Sequence, residues 1–296
     1  MKTLLTGASG LIGSALVESL HTKGHVIRCL QRNKHSSSQT IWSTDILTVS
    51  EDHDDPYDII IHLAGENVAG GRWNASRKSR ILQSRIDGTR ELIQLLTKLP
   101  KPPSTFICAS AVGYYGSRDS ELLTEQSEAG RGFLADVCKQ WEHEAQKAEQ
   151  LGCRVVNLRF GMVLSPGGGA LYKMLPAFKA GLGGTIGNGK QYMSWISIRD
   201  LVEIVDLAIN DESLSGPVNV VSPIPVTNKE FTRCLAEVLG RPAILPAPPF
   251  ALRLMFGEMA DEMLLASSRV KPEKLISSGY SFQDVNLAET LRFCIT

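Results

Sequence analysis

A chain of 296 residues, 43% hydrophobic and 21% charged, can bury the core of one large domain or one and a half. Lys+Arg and Asp+Glu balance at 31 each, so no global field draws the chain to nucleic acid or to an anionic membrane. The six cysteines (Cys29, Cys108, Cys138, Cys153, Cys234, Cys294) form no CxxC pair and the six histidines no ligand-spaced cluster, which predicts reduced thiols, no metal and a cytoplasmic setting.

The chain starts at once with a strand over residues 1–5, without the apolar stretch and cleavage site of a signal peptide. Thr6-Gly7-Ala8-Ser9-Gly10-Leu11-Ile12-Gly13 follows and opens an apolar run at helical period, Leu11, Ile12, Ala15, Leu16 and Leu20. A GxxGxxG turn between strand and helix suits a dinucleotide. One glycine turns the chain, one lets a pyrophosphate approach the backbone, and one packs the helix on the strand. The helix N-terminus then offers free N–H groups to the phosphates, with Gly7, Ser9, Gly10, Leu11, Ile12 and Gly13 as the contacting residues.

A second strand over 25–30 ends in Leu30-Gln31-Arg32-Asn33-Lys34, with no acid and two cations. A carboxylate there would accept the 2′-hydroxyl of NAD; Arg32 instead suits the 2′-phosphate, so the expected cofactor is NADP(H). Asp45 reads either as an acceptor for the adenine amino group or as a surface-loop acid. Residues 58–63 (DIIIHL) read as a buried strand, and 75–98 as a helix ended by Pro100, Pro102 and Pro103. A strand over 105–110, a helix over 132–151 and a strand over 154–158 continue the alternation. The pattern predicts an α/β fold, a Rossmann-like doubly wound parallel sheet covered on both faces.

From Ser165 the texture changes. Glycine-rich loops at 166–169 and 181–184 flank a short helix, and a helix begins near Arg199-Asp200. Further helices are predicted over 228–239 and 250–266. The last is interrupted by Arg253, Glu258, Asp261 and Glu262, so it reads as an amphipathic helix capping a pocket rather than a membrane span; no apolar run elsewhere approaches ~18–20 residues. The predicted organisation is an NADP-binding domain over 1–166, its sheet completed by 185–222. A small C-terminal α+β substrate lobe comprises 167–184 and 223–296.

TGASGLIG, His62-Leu63-Ala64-Gly65, Ser84-Arg85 with Gly88-Thr89, and Gly113-Tyr114-Tyr115-Gly116 together resemble the extended short-chain dehydrogenase/reductases. That group contains the nucleoside-diphosphate-sugar epimerases. HLAGEN, SAVGYYG, LRFGMVLSPGGGAL, GLGGTIGNGKQYMSWISIRDL, GPVNVVSP and VKPEKL with GYSF are similar to the atypical "epimerase family" subgroup, whose members are similar to a plastid division factor. The resemblance implies that Leu63, Ala64 and Gly65 line the nucleotide. It also implies that Arg85 reaches the cofactor phosphates or ribose and that Val163 packs near the nicotinamide.

The superfamily's chemistry uses a tyrosine and, four residues later, a lysine on one helix face, the lysine readying the phenol for proton exchange. Here that helix reads Gly132-Phe133-Leu134-Ala135-Asp136-Val137-Cys138-Lys139, which places Leu134 and Cys138 at the two positions; a shift by one gives Ala135 and Lys139. Three readings stand open. Tyr114 or Tyr115 supplies the phenol beside Ser110, with Lys139 or Arg159 nearby. Alternatively the proton comes from water or an acid such as Glu66, or NADPH is bound without turnover.

On the substrate side, Trp195 either stacks on a ring or anchors the small lobe, and the glycines over 181–189 suit a mobile lid or a loop held tight to a ligand. Lys173, Lys179 and Lys190 are present, but no arginine lies between Arg159 and Arg199, which argues against a nucleotide-sugar diphosphate. The expected function is an NADP(H)-binding oxidoreductase or epimerase-like enzyme acting on a small carbonyl or hydroxyl compound. It is expected to be a monomer or homodimer with neither nucleic-acid nor membrane partners. The alternative is a catalytically inactive, NADPH-binding regulatory or scaffolding protein.

Overall fold

The computed structural model describes residues 1–33, 41–45 and 56–295, and for 31–33 and 41–45 the backbone alone. The N-terminal half alternates as its apolar periods require: β1 (Lys2–Thr6), α1 (Leu11–Thr22), β2 (Val26–Asn33), β3 (Ile41–Asp45), β4 (Ile59–His62), α2 (Ala75–Leu96) and β5 (Thr105–Ala111). A 3-10 turn, Val112–Tyr115, and the short β6 (Leu122–Leu123) lead to α3 (Phe133–Gln146) and β7 (Arg154–Phe160).

The sheet has seven strands in the order β11-β7-β5-β4-β1-β2-β3, where β11 is Gly216–Val220. Its strands run parallel except β3, which pairs antiparallel with β2 at the edge. After β1 the chain first winds toward β2 and then returns to β4 on the other side. This places the crevice between β1 and β4 at the switch point where open α/β sheets take their ligands. Ile59, Ile60 and Ile61 of β4 are all buried because helices cover both faces, α1 packing against α5 (Ile198–Asn210) and α2 against α3.

Beyond β7 come β8 (Met162–Ser165), α4 (Gly169–Lys179), β9 (Tyr192–Met193) and β10 (Trp195–Ser197). After α5 and β11 follow β12 (Val226–Thr227), α6 (Asn228–Leu239), α7 (Pro249–Phe256), β13 (Arg269–Val270), α8 (Glu273–Ser277) and α9 (Leu287–Ile295). A second apolar cluster gathers Leu164, Leu171, Phe178, Trp195, Phe231 and Leu291, so α4, α6 and α9 share a core of their own. Trp195 is fully buried there, its indole N–H donating to the Ile224 carbonyl (3.1 Å), which is the anchoring role.

The chain departs from its helical periodicity in two places. The helix expected over 250–266 is two pieces: α7 stops at Gly257, whose φ of 62° a right-handed helix cannot continue, and a π-turn, Ala260–Leu264, follows. The helix expected to reach 151 ends at Gln146 and tightens into a 3-10 turn, Lys147–Leu151. The glycines near 183–187 serve close packing: a Cβ on Gly184 would overlap the Leu245 carbonyl, and one on Gly183 would meet the Phe178 ring at 2.7 Å. Among the described residues no helix is long and apolar enough to cross a membrane, and no cluster of His, Cys, Asp or Glu could hold a metal.

Candidate active site

The turn after β1 is built around positions that reject a side chain. Gly7 has φ 77°, and a Cβ there would stand 2.9 Å from the Leu63 carbonyl carbon and 3.0 Å from Ala64 N, at the end of β4. A Cβ on Gly13 would overlap the Gly7 carbonyl oxygen, so α1 starts directly on the turn. Gly10 is the N-cap and no side chain caps the helix; Ser9 and Gly10 are exposed. The first-turn N–H groups of α1 therefore have no side-chain cap at the helix's positive end, a cradle that fits a dinucleotide pyrophosphate. The Gly-rich turn before α4 leans on the same spot: a Cβ on Gly169 would come within 3.1 Å of the Leu11 side chain and 3.4 Å of the Val163 carbonyl.

A buried chain of hydroxyls holds the far wall. Thr6 Oγ1 accepts from the N–H groups of Leu63 and Ala64, both at 3.2 Å, so its own proton goes to His62 Nδ1 (2.7 Å). His62 must then donate through Nε2 to Thr89 Oγ1 (3.1 Å), which also accepts from the Trp141 indole (3.0 Å) and donates to the Arg85 carbonyl (2.5 Å). One neutral tautomer satisfies every member. This network fixes Leu63 and Ala64 against the turn, and sequence reading missed it. HLAG showed the backbone edge; nothing local marked Thr6, Thr89 and Trp141 as its supports.

Arg85 lies under that edge. Its guanidinium donates to the carbonyls of Glu66 (3.1 Å) and Ile81 (3.0 Å) and sits 4.9 Å from the Trp141 ring centre. A Cβ on Gly65 would come within 3.1 Å of it, so Gly65 is where the loop crosses the arginine. Burial pulls Arg85 below the ordinary arginine value. Neither Asp87 nor Glu91 pairs with it; Asp87 pairs with Arg90 (2.9 Å). Glu66 is 3.6 Å from Arg77. In the β2–β3 pairing Arg32 stands opposite Trp42 and Asp45 opposite Cys29. The Arg32 and Asp45 side chains lie outside the described residues.

At the end of β5 the structure ties together residues that the sequence scatters. Ser110 is buried and donates to Glu142 Oε1 (2.6 Å). Glu142 holds Arg159 through both oxygens, from Nε (2.8 Å) and Nη2 (2.7 Å). Arg159, its side chain 3% exposed, donates to the Tyr115 hydroxyl (2.9 Å), which donates to Asn219 Oδ1 (2.7 Å). Tyr115 is fully buried, and burial, against the pull of Arg159, pushes its phenol up to about 12. Ser110 and Tyr115 are thus members of a closed internal network. Tyr114 differs: its half-buried ring lies on the Arg159 guanidinium, 3.5 Å from ring centre to Cζ.

In the first of the two registers that the resemblance offers for the dyad, neither side chain ionises readily. Leu134 packs on Gly113, where a Cβ would lie 3.4 Å from Leu134 Cβ, and Cys138 is a buried thiol that burial pushes up to about 11. Lys139, half exposed, stands 3.7 Å from Asp136 on its own helix; the cation on the tyrosine rings is Arg159, from β7. Of the four residues expected to carry chemistry, Ser110, Tyr114 and Tyr115 gather around Arg159, and Lys139 pairs elsewhere. Glu142 and Asn219 belong to the group and were not anticipated.

Comparison with known proteins extends these features. Residues 3–221 match the NAD dependent epimerase/dehydratase family, and residues 247–294 match a domain of unknown function. The chain is 41% identical over 293 residues to an epimerase family protein of Mycobacterium bovis, covering 99% of this chain and 97% of that one. It is 35% identical over 296 residues to mouse epimerase family protein SDR39U1, covering 99% of both. The crystal structure of human SDR39U1 with NADPH superposes with a TM-score of 0.87 at 31% identity, covering 100% of this chain and 99% of that one.

Proposed function

Because the chain belongs to the NAD dependent epimerase/dehydratase family, we propose that it binds NADP(H) and acts as an oxidoreductase or epimerase-like enzyme on a small carbonyl or hydroxyl compound. The observation that carries this reading is the cradle: Gly7 against Leu63 and Ala64, Gly13 against Gly7, and an uncapped α1 N-terminus opening between them. The NADPH in human SDR39U1 supports the phosphorylated form of the cofactor, and Arg32 is the residue we assign to its 2′-phosphate. When bound, the nicotinamide gives or takes a hydride.

The work divides between a cofactor-binding part, 1–166 with 185–222, and a substrate lobe, 167–184 with 223–296. We assign the proton to Tyr114, half-buried at the ligand end of β5 and oriented by Arg159 beneath its ring. Arg159 is itself fixed by Glu142. A monomeric or homodimeric state in the cytoplasm belongs to the same proposal. One observation favours a second reading, an NADPH-binding regulatory protein without turnover: Leu134 and Cys138 occupy the positions that would hold the tyrosine and lysine.

Titrating the protein with NADPH and NADH, followed by nicotinamide fluorescence for the wild type and Arg32→Ala, tests the cofactor. Preferential NADPH binding that weakens in the variant is the expected result, and equal affinity for both would remove the role of Arg32. Consumption of NADPH with a panel of small aldehydes and ketones, lost in Tyr114→Phe, then separates enzyme from regulator.

A further inference from the structure

The segment matching a domain of unknown function contains a part held differently from its surroundings. Before it, backbone bonds fix the chain to the small lobe: Leu245 N–H to Gly183 O (3.1 Å) and Ala247 N–H to Thr185 O (2.8 Å). After it, Arg118 N–H donates to Ser267 O (2.8 Å), Ser268 N–H to Tyr192 O (3.2 Å), and β13 pairs with β6. Between these anchors, over residues 248–266, every backbone–backbone bond among the described residues is internal, such as Gly257 to Arg253 and Leu265 to Ala260.

Side chains alone attach this stretch to the Rossmann helices. Glu262, in the π-turn, accepts from the N–H groups of Phe133 and Leu134, both at 3.1 Å. It thereby caps α3 from 128 residues away, while the helix's own N-cap, Gly132, offers no side chain. A Cβ on Gly132 would overlap Glu262, so the glycine makes room for the distant carboxylate. Lys78 of α2 bonds Glu258 (2.8 Å), and Phe256 and Met259 pack into the small cluster of Trp73, Ile81, Phe133 and Val137. Gln191 Nε2 donates to the Leu264 carbonyl (3.2 Å). α7 buries one side chain, Leu252, and leaves Phe250, Leu254 and Met255 63–75% exposed, so the apolar area opposing release is confined to Leu252, Phe256, Met259 and Ala260.

We propose that residues 248–266 form a lid over the N-terminal end of α3, latched by Glu262 on the Phe133 and Leu134 amides and by the Lys78–Glu258 pair, and lifting as one unit between its two backbone anchors. That the lid covers the reacting end of the site rests on the functional reading above, which sets Leu134 at the superfamily's tyrosine position. That it lifts does not. A bound substrate would be enclosed when the latch closes, as mobile segments over α/β sites commonly achieve.

The first N–H groups of a helix exchange freely unless something outside the helix accepts them, so the Phe133 and Leu134 amides report the latch directly. Hydrogen exchange of the full-length protein without nucleotide, resolved by mass spectrometry, should give peptides spanning 131–135 and 248–266 a common protection well below that of β1, β4 and β5. Glu262→Ala should speed exchange in both peptides at least tenfold and leave the strands unchanged. If the strands also lose protection in that variant, the charge pair carries the test. Lys78→Glu should then speed exchange over 248–266, and adding Glu258→Lys should restore it. Exchange that rises at Phe133 and Leu134 alone would reduce Glu262 to a helix cap. Protection of 248–266 equal to that of the strands would overturn the lid. Neither outcome depends on nucleotide binding, so a failed NADPH titration and a failed lid are separate results.

Discussion

The guanidinium of Arg159 lies 3.5 Å from the ring centre of Tyr114, and both oxygens of Glu142 hold it there. A permanent cation from β7 thus lies against a phenol in a chain whose α3 carries no tyrosine. The Glu142 side chain is 12% exposed, so the pair is a nearly closed system. Arg159→Met would strand the carboxylate and remove a donor from Tyr115, at a cost of about 3–5 kcal/mol. Urea unfolding of the variant checks this. A loss under about 1 kcal/mol, the range of an exposed pair, would mean the network is wet and loosely coupled.

Gly13 and Gly24 offer a matched comparison. Gly13→Ala drives a Cβ into the Gly7 carbonyl and should weaken NADPH binding more than tenfold, read by nicotinamide fluorescence. Gly24 has φ 81° but nothing within 4 Å of a built Cβ, so Gly24→Ala should leave binding unchanged and destabilise by about 1 kcal/mol through backbone strain. Equal NADPH affinity in the two variants would disprove the cradle.

Thr6→Val keeps the shape of β1 and the Thr6 carbonyl that also accepts from the Leu63 N–H (3.2 Å), but removes the hydroxyl that accepts from Leu63 and Ala64 and bonds His62 Nδ1. The expected loss is about 1–3 kcal/mol of stability, with weaker NADPH binding because the wall opposite Gly7 is freed. Chemical denaturation with and without NADPH separates the two effects.

Glu144 sets an acid-side dependence. Burial acts to raise its carboxyl, but hydrogen bonds from Arg90 and Lys147 outweigh that and hold it below the ordinary 4.5. A carboxyl lowered by folding stabilises fully above the unfolded value and loses that contribution as pH falls through the lower folded one. Glu144→Gln should therefore be less stable than the wild type at pH 7, and the gap should close in unfolding measurements taken well below pH 4.5. A gap of constant size across that range would contradict the assignment.

Legibility differed sharply between regions. The GxxGxxG turn, the apolar β4 and the helix over α2 could be read directly, because each pattern is local: a period, a missing Cβ, a proline stop. β3 and β11 were harder, since one is an antiparallel edge strand and the other a five-residue strand lying far along the chain from its neighbour β7. α7 and its π-turn carried a helical period throughout, and only the backbone at Gly257 broke it.

The sequence by itself determined the class of fold, the place of the cofactor turn and the absence of a tyrosine–lysine pair, because glycine spacing, apolar period and residue identity are properties of neighbours along the chain. Only the tertiary structure decided which side chains gather at the end of β5. Ser110, Glu142, Arg159, Tyr115 and Asn219 come from β5, α3, β7, the turn after β5, and β11. The sheet order brings these five elements to one edge, and burial then requires their polar atoms to satisfy one another. Glu262 makes the same point across 128 residues: a helix start without a cap of its own is completed by a carboxylate that no local pattern connects to it.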